Sequence, residues 1–411
     1  MSIIKENSLM RTEKTFLLVL LMSLMSIQAL GQSFSEVNSD GVTIYYMPNN
    51  ERTEVSVVCN YDNRDEYGDP LYNDYSGNVV IPSYVTHDGK RYAVTAIGYD
   101  HDGAFYQCPQ LISLTIPSSV KTLDGPAIRD CENLESVIVQ SITPASIGYY
   151  TYPFGVLNAK LYVPAGSKDA YEADSKWKEG FKGGIEEYIT FSYWNVKNLC
   201  LTNWDTNNDG ILTMTEAAAV TNLGSVFEGN KDIVSFNELK YFTGVTTISG
   251  FDGCSGLTSV TIPNSVTTIG SCAFRGCSKL TTVSIPNTVT TIDDHAFYDC
   301  NSMTDVNIPT TVSYIGMSAF TRQNCPILNI SISDLVSWNN IRFSEYWGSN
   351  YHLVLNGKEI KDLVIPEGIT KIGDWAFSYC SGLTSVTFPN SVTSIGEGSF
   401  YGSSLTVFRD L

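Results

Sequence analysis

An isoleucine–proline pair returns along this chain at a fixed step. Ile262-Pro263, Ile285-Pro286 and Ile308-Pro309 lie 23 residues apart, and Ile365-Pro366 and Phe388-Pro389 repeat the step. Cys254, Cys277 and Cys300 keep the same beat, as do Cys108 and Cys131. A constant period of this size, with leucine and isoleucine at set places, marks a solenoid of stacked coils. Each coil then packs only on its neighbours, so the core grows with the array instead of closing into globular domains. Function in such a chain comes from a long surface rather than a deep pocket.

One coil can be read residue by residue. In Leu257-Thr-Ser-Val-Thr-Ile262, Val260 and Ile262 share one face of a strand, and Ser259 and Thr261 share the other. The apolar face is the interior. Pro263 ends the strand because it cannot donate to a ladder. Val266 and Ile269 supply a second buried edge, Gly270 permits a turn, and Ala273 and Phe274 return inside. Burying these side chains contributes roughly 1.5–3 kcal/mol each before entropy, so one coil cannot stand alone. The fold expected is a leucine-rich repeat solenoid of parallel β coils. Its outward strand positions are Ser113 and Thr115, Ser136 and Ile138, Ser259 and Thr261, Thr282 and Ser284, Asp305 and Asn307, and Ser385 and Thr387. That face is small, polar and nearly uncharged, which suits extended recognition or simply a solvated sheet.

The period holds in two blocks. Residues 1–31 read as a secretory signal: Arg11 and Lys14 precede the apolar run Phe16–Ile27, and Ala29-Leu30-Gly31 places cleavage before Gln32. Residues 32–77 form an N-terminal β cap region, with strands near Val42–Tyr46 and Glu54–Val58 and an acidic, Tyr-rich loop from Asn60 to Gly77. The first block covers 78–185 and ends in a closing helix, Ser167 to Trp177. Residues 186–243 break the period as a small helix-loop-helix insert, with helices at Asn195–Trp204 and Thr213–Leu223. The second block covers 244–411 and is distorted near Trp338–Asn356, where Trp338, Phe343, Tyr346, Trp347 and Tyr351 cluster. Leu405-Thr-Val-Phe408 opens another coil just before Leu411, without a visible cap.

All ten cysteines lie in the mature chain, which in an exported protein invites disulfides. The repeat spacing favours a column of buried free thiols for Cys254, Cys277, Cys300 and Cys380. Cys59, Cys200, Cys272 and Cys325 lie off the beat and cannot be paired from sequence. A net charge of −18 argues against nucleic acid and against an anionic lipid surface.

The unit Leu257-Thr-Ser-Val-Thr-Ile-Pro-Asn-Ser-Val-Thr-Thr-Ile-Gly-Ser-Cys-Ala-Phe-Arg-Gly-Cys-Ser-Lys279 resembles the repeat of the BspA-like leucine-rich family over about 78–165 and 244–411. The resemblance implies a secreted or cell-surface recognition protein of Bacteroides-type bacteria, some of whose relatives are adhesins. No residue here fixes a ligand.

One segment carries chemistry of its own. Asp205-Thr-Asn-Asn-Asp-Gly-Ile-Leu-Thr-Met-Thr-Glu216 matches a complete EF-hand calcium loop. Asp205, Asn207 and Asp209 offer side-chain oxygens at positions 1, 3 and 5, and Gly210 makes the turn at position 6. Ile211 offers its carbonyl at position 7, Thr213 acts through water at position 9, and Glu216 clamps at position 12. The loop resembles half of a dockerin, but no second copy is present. Calcium is expected as a structural brace between the two blocks.

The catalytic search is empty. His87, His101, His295 and His352 are scattered, and no zinc, nucleophile-elbow or phosphate-loop motif is present. Expected is a non-enzymatic, exported protein for protein–protein or cell–cell recognition and adhesion. Its ligand would be an extracellular protein or a cell-surface group. A ligand-free structural spacer and a glycan-binding protein, with sugar stacked on the Trp338–Tyr351 cluster, are the alternatives.

Overall fold

The computed structural model describes residues 33–60, 75–99, 103–148, 153–155, 157–323 and 325–410. The signal segment 1–31, most of the acidic loop and His101 lie outside the described residues. The chain forms two compact units, Met1–Tyr188 and Ile189–Leu411. Strands are short and mostly parallel, and helices are few. No helix among the described residues is long and apolar enough to cross a membrane.

In the first unit, five parallel strands stack in the order Gly77–Val80, Leu111–Ile116, Ser136–Val139, Lys160–Pro164 and Ile185–Tyr188. A second column holds Lys90–Ile97, Thr122–Leu123 and Ser146–Ile147. The N-terminal strands Phe34–Val37, Thr43–Pro48 and Glu54–Val58 form an antiparallel meander. Its last strand pairs in parallel with Lys90–Ile97 and so covers the first edge of that column. The closing helix is two helices rather than one, Lys168–Ala173 and Ser175–Gly180. Asp174 is extended between them, and its carboxylate accepts from Lys176 N and Trp177 N. That cap stops one helix and starts the next. The break lets Trp177 turn inward, where its indole donates to Ala145 O at 3.0 Å.

In the second unit, Ser235–Phe236, Ser259–Thr261 and Thr282–Ser284 stack in register, with Val260 beside Val283. Behind them Thr247–Ile248, Thr268–Ile269, Thr291–Ile292, Tyr314–Ile315 and Arg342–Phe343 form the second column. The stack therefore begins at Ser235, inside the stretch 186–243 expected to be a separate insert. Phe227, Ile233, Phe236, Leu239 and Phe242 belong to the same core as the coils that follow. The helix expected over Thr213–Leu223 is shorter, Met214–Ala219. Val220 is already extended, and the carbonyls of Ala218 and Val220 press so closely on Gly244 that a Cβ there would clash. The chain must leave the helix at that point to enter the first coil.

The interior follows the coil as read. Val260, Ile262, Val266, Ile269, Ala273 and Phe274 are all buried. Phe251, Phe274, Phe297 and Phe320 stack at centroid spacings of 5.4, 5.3 and 5.3 Å. Phe227 stands at the head of this column, 5.2 Å from Phe251. All ten cysteines are free. Cys254, Cys277 and Cys300 donate to the phenylalanine carbonyl one coil back, at 3.0, 3.2 and 3.1 Å to Phe227, Phe251 and Phe274. Burial pushes the Cys254 thiol up to about 11 and that of Cys300 up to about 12, so these thiols stay protonated. Their role is packing.

Candidate functional site

The helix Trp194–Trp204 delivers the chain to Asp205, and Met214–Ala219 receives it beyond Thr213. Val196 and Cys200 bury the first helix, and Leu212 anchors the loop through its carbonyl, which accepts from Ile189 N at 2.8 Å. Asn208 and Gly210 take left-handed backbone, φ 59° and 80°, which lets the chain fold back on itself. Gly210 N then donates to Asp205 Oδ2 at 2.9 Å. Asp209 N donates to Asn207 Oδ1 at 3.1 Å, and Ile211 N to Asp209 Oδ1 at 2.9 Å. The other oxygen of Asp205, Oδ1, is buried with no hydrogen-bond partner. An unpartnered carboxylate oxygen is costly unless something else takes it up.

Glu216 is differently placed. Its Oε2 accepts from Thr213 N and Thr213 Oγ1, both at 3.0 Å, while Thr213 Oγ1 accepts from Glu216 N at 3.1 Å. This is a capping box on the second helix. Its Oε1 accepts from Thr206 N and Thr206 Oγ1, both at 2.8 Å. Burial pushes the Glu216 carboxyl up, but these donated bonds outweigh it and hold the group below the usual carboxylate range. The fold thus brings Asp205, Asn207, Asp209 and Gly210 into one turn, and Thr213 and Glu216 into another. Among the described residues no three His, Cys, Asp or Glu side chains group closely enough to hold a metal. The donors are hard oxygens of the kind calcium takes, and Asp205 Oδ1 has no hydrogen-bond partner of its own. Both Glu216 oxygens are taken up by Thr206 and Thr213. The loop lies within the second unit, and Cys200, Leu212 and Ala217 around it share that unit's core.

The outward strand face is threaded with side-chain bonds between coils. Ser259 Oγ reaches Ser235 Oγ at 3.2 Å, Thr261 Oγ1 reaches Asn237 Oδ1 at 3.1 Å, and Asn329 Nδ2 donates to Asp305 Oδ1 at 2.9 Å. Thr282 and Ser284 are exposed. Ser385 departs from expectation: it is buried and donates to Asp362 Oδ1 on the preceding coil.

The aromatic cluster also divides. Trp338, Phe343, Trp347 and Tyr351 are buried and pack on one another, so they cannot stack on a sugar. Tyr346 alone of that group is exposed, at 46%. It joins Trp375, Tyr379 and Tyr401, which sequence reading had not singled out. The available signal was positional. Trp375 precedes Ala376-Phe377 as Cys272, His295 and Ser318 precede Ala-Phe in earlier coils, and all four share left-handed backbone. A bulky aromatic at that place is unusual.

The family described as "BspA type Leucine rich repeat region" matches residues 94–156, 230–352 and 353–409 in 6 copies, more than half of the chain. No curated protein matches. Among solved structures, a leucine-rich repeat protein from Bacteroides ovatus is 21% identical, over 88% of this chain and 80% of that one, with a TM-score of 0.34. A leucine rich cell surface protein from Faecalibacterium prausnitzii is 19% identical, over 92% and 76%, with a TM-score of 0.25. The pneumococcal vaccine antigen PcpA is 16% identical, over 92% and 99%, with a TM-score of 0.33. On the repeat match, which coincides with the stacked coils, the chain belongs to the BspA-type leucine-rich repeat family.

Proposed function

We propose that this chain is an exported, non-enzymatic recognition protein of the cell surface or its surroundings, binding an extracellular protein or cell-surface ligand along its strand face. The observation that supports this most is the in-register column of short parallel strands. Across these coils Ser259, Thr261, Thr282 and Ser284 face outward, while Phe236, Val260 and Val283 are buried. Such a face offers hydrogen bonds over several coils without an electrostatic demand on its partner. The test is capture by the immobilised chain from Gln32 onward, against matrix proteins, mucin and neighbouring bacterial cells. The paired substitution Thr282→Arg, Ser284→Arg should weaken capture on the order of tenfold or more, because it puts bulk and charge at the centre of the face. A chain that captures none of these ligands is a spacer, and the recognition reading then fails.

Calcium is the second part of the proposal. Asp205, Asn207, Asp209, the Ile211 carbonyl and Glu216 would hold it, with Thr213 acting through water. The ion would supply two positive charges that tie the first helix to the second at the mouth of the second unit's core. Glu216 must exchange its Thr206 bonds for the ion, so affinity should be weak, on the order of 10⁻⁴–10⁻³ M. Calorimetry on the chain from Gln32 onward should show one site, lost in Asp205→Ala and in Glu216→Ala. At about ten times Kd the ion should add about 1.4 kcal/mol of stability. Absence of heat at millimolar calcium would refute the site.

A further inference from the structure

Tyr346, Trp375, Tyr379 and Tyr401 form an aromatic platform on the second unit. Tyr346 lies 5.8 Å from Trp375 and 6.4 Å from Tyr401, and Tyr401 lies 6.1 Å from Trp375 and 5.5 Å from Tyr379. Interplanar angles of 73–85° between Tyr401 and its three partners make it an upright wall beside the other rings. Tyr346 and Tyr401 are 46% and 53% exposed, which is uncommon for rings gathered in one place.

The backbone is bent to present them. Tyr346, Trp375 and Tyr379 have φ of 53°, 60° and 59°, the left-handed region where a bulky side chain is strained. Earlier coils fill the positions of Trp375 and Tyr379 with Ser318 or His295 and with Gly276 or Asp299. The next coil makes room for the rings: a Cβ on Gly398 would collide with the Trp375 indole, and one on Gly402 with the Tyr379 ring. Trp375 packs partly on the core, but the regular coils are built without a tryptophan or tyrosine at either place.

A hollow of about 710 Å³ opens beside the platform, lined by Tyr346 and Tyr379 together with Ser318, Thr321 and Asn350. Thr321 and Asn350 have no side-chain hydrogen bond among the described residues, so both face the hollow with free donors and acceptors. Among the described residues its lining contains no carboxylate. Its one cation among the described residues, Arg322, is buried and donates through its two terminal nitrogens to the carbonyls of Met303 and Pro326, while its Nε has no partner.

We infer that this platform and hollow bind a neutral glycan. A pyranose ring carries an apolar C–H face, which stacks on an aromatic ring, and a rim of hydroxyls, which amide and hydroxyl side chains satisfy. A lining whose guanidinium is buried and bonded to backbone carbonyls favours a neutral ligand, and the net charge of −18 repels nucleic acid. The inference rests on the recognition reading and names the chemistry of one site within it, which does not include Thr282 or Ser284.

The test is retardation of the chain from Gln32 onward in native gels containing a β-glucan, a mannan, a xylan or an arabinogalactan. At least one should retard it. Tyr401→Ala, and Trp375→Ser together with Tyr379→Gly, should each weaken that retardation on the order of tenfold or more. The latter pair restores residues that earlier coils carry at the same places, so the fold is kept, and an unchanged melting curve checks this. Thr282→Arg, Ser284→Arg should leave retardation intact. Failure of every polysaccharide, or equal retardation of the variants, overturns the glycan site. Loss of protein capture in the platform variants without polysaccharide binding also overturns it, in favour of a protein ligand. If glycan binding fails while capture by the strand face persists, the recognition reading stands without this site.

Discussion

Phe274→Ala is expected to destabilise the second unit by about 3–5 kcal/mol, the range for truncating a buried phenylalanine. Phe274 is fully buried, with Phe251 stacked 5.4 Å to one side and Phe297 5.3 Å to the other. The near-parallel rings, 13° and 9° apart, leave no side chain that can swing into the gap. The backbone cannot close it either, because Phe274 N is bonded to Ala296 O at 2.8 Å and Gly276 N to Tyr298 O at 2.8 Å. The cavity term therefore adds to the lost transfer term. In a solenoid, stability is a sum over coils and their interfaces, and this substitution weakens two interfaces at once. Urea denaturation followed by circular dichroism should show a lower midpoint and a split or broadened transition as coils on either side uncouple. Thr282→Ala, on the exposed face of the adjacent coil, should stay within about 0.5 kcal/mol of the parent. Equal effects for the two would mean the column does not carry the array.

Trp347→Ala should be comparably severe, about 3–5 kcal/mol, and for a related reason. The phenylalanine column breaks after Phe320, where the repeat is stretched by extra residues. Trp347 takes over, edge-on to Phe320 at 6.4 Å and packed on Phe343 and Tyr351 at 4.9 and 5.1 Å. Its indole donates to Trp375 O at 3.1 Å, so truncation also strips a carbonyl of its partner. Tyr346→Ala, one residue away and exposed, should cost well under 1 kcal/mol and affect only what the surface binds. Thermal melts of the two variants separate the roles. A stable Trp347→Ala protein would contradict the structural assignment, and a collapsed Tyr346→Ala protein would contradict the assignment to a binding platform.

The difference between these adjacent residues illustrates what could be read in advance. The coil was legible from Leu257 to Lys279 because its interior is set by local alternation and repeated at a constant step: Val260, Ile262, Val266, Ile269 and Phe274 are inside as their spacing requires. The loop 205–216 was legible as a pattern, and the structure shows a turn at Gly210 closed by Gly210 N on Asp205 Oδ2. The partners of Glu216 were not, since its bond to Thr206 joins residues ten apart. The break at Asp174 was missed because its cap competes with a helical pattern that continues on either side. The early start of the stack at Ser235 was hidden because Phe227 and Phe236 lie in a sequence that does not repeat, although they repeat in space.

The sequence by itself determined the architecture. A 23-residue apolar rhythm makes each coil insufficient alone and complete when stacked, and periodicity is a local property that any one coil reveals. The tertiary structure decided which residues of the irregular coils are core and which are surface. Trp347 and Tyr346 are neighbours in the chain with opposite fates, and Tyr401, 55 positions beyond Tyr346, becomes its neighbour on the platform. That meeting depends on how extra residues are absorbed between stacked coils, which is settled by packing across the array and not by the order of residues within one coil.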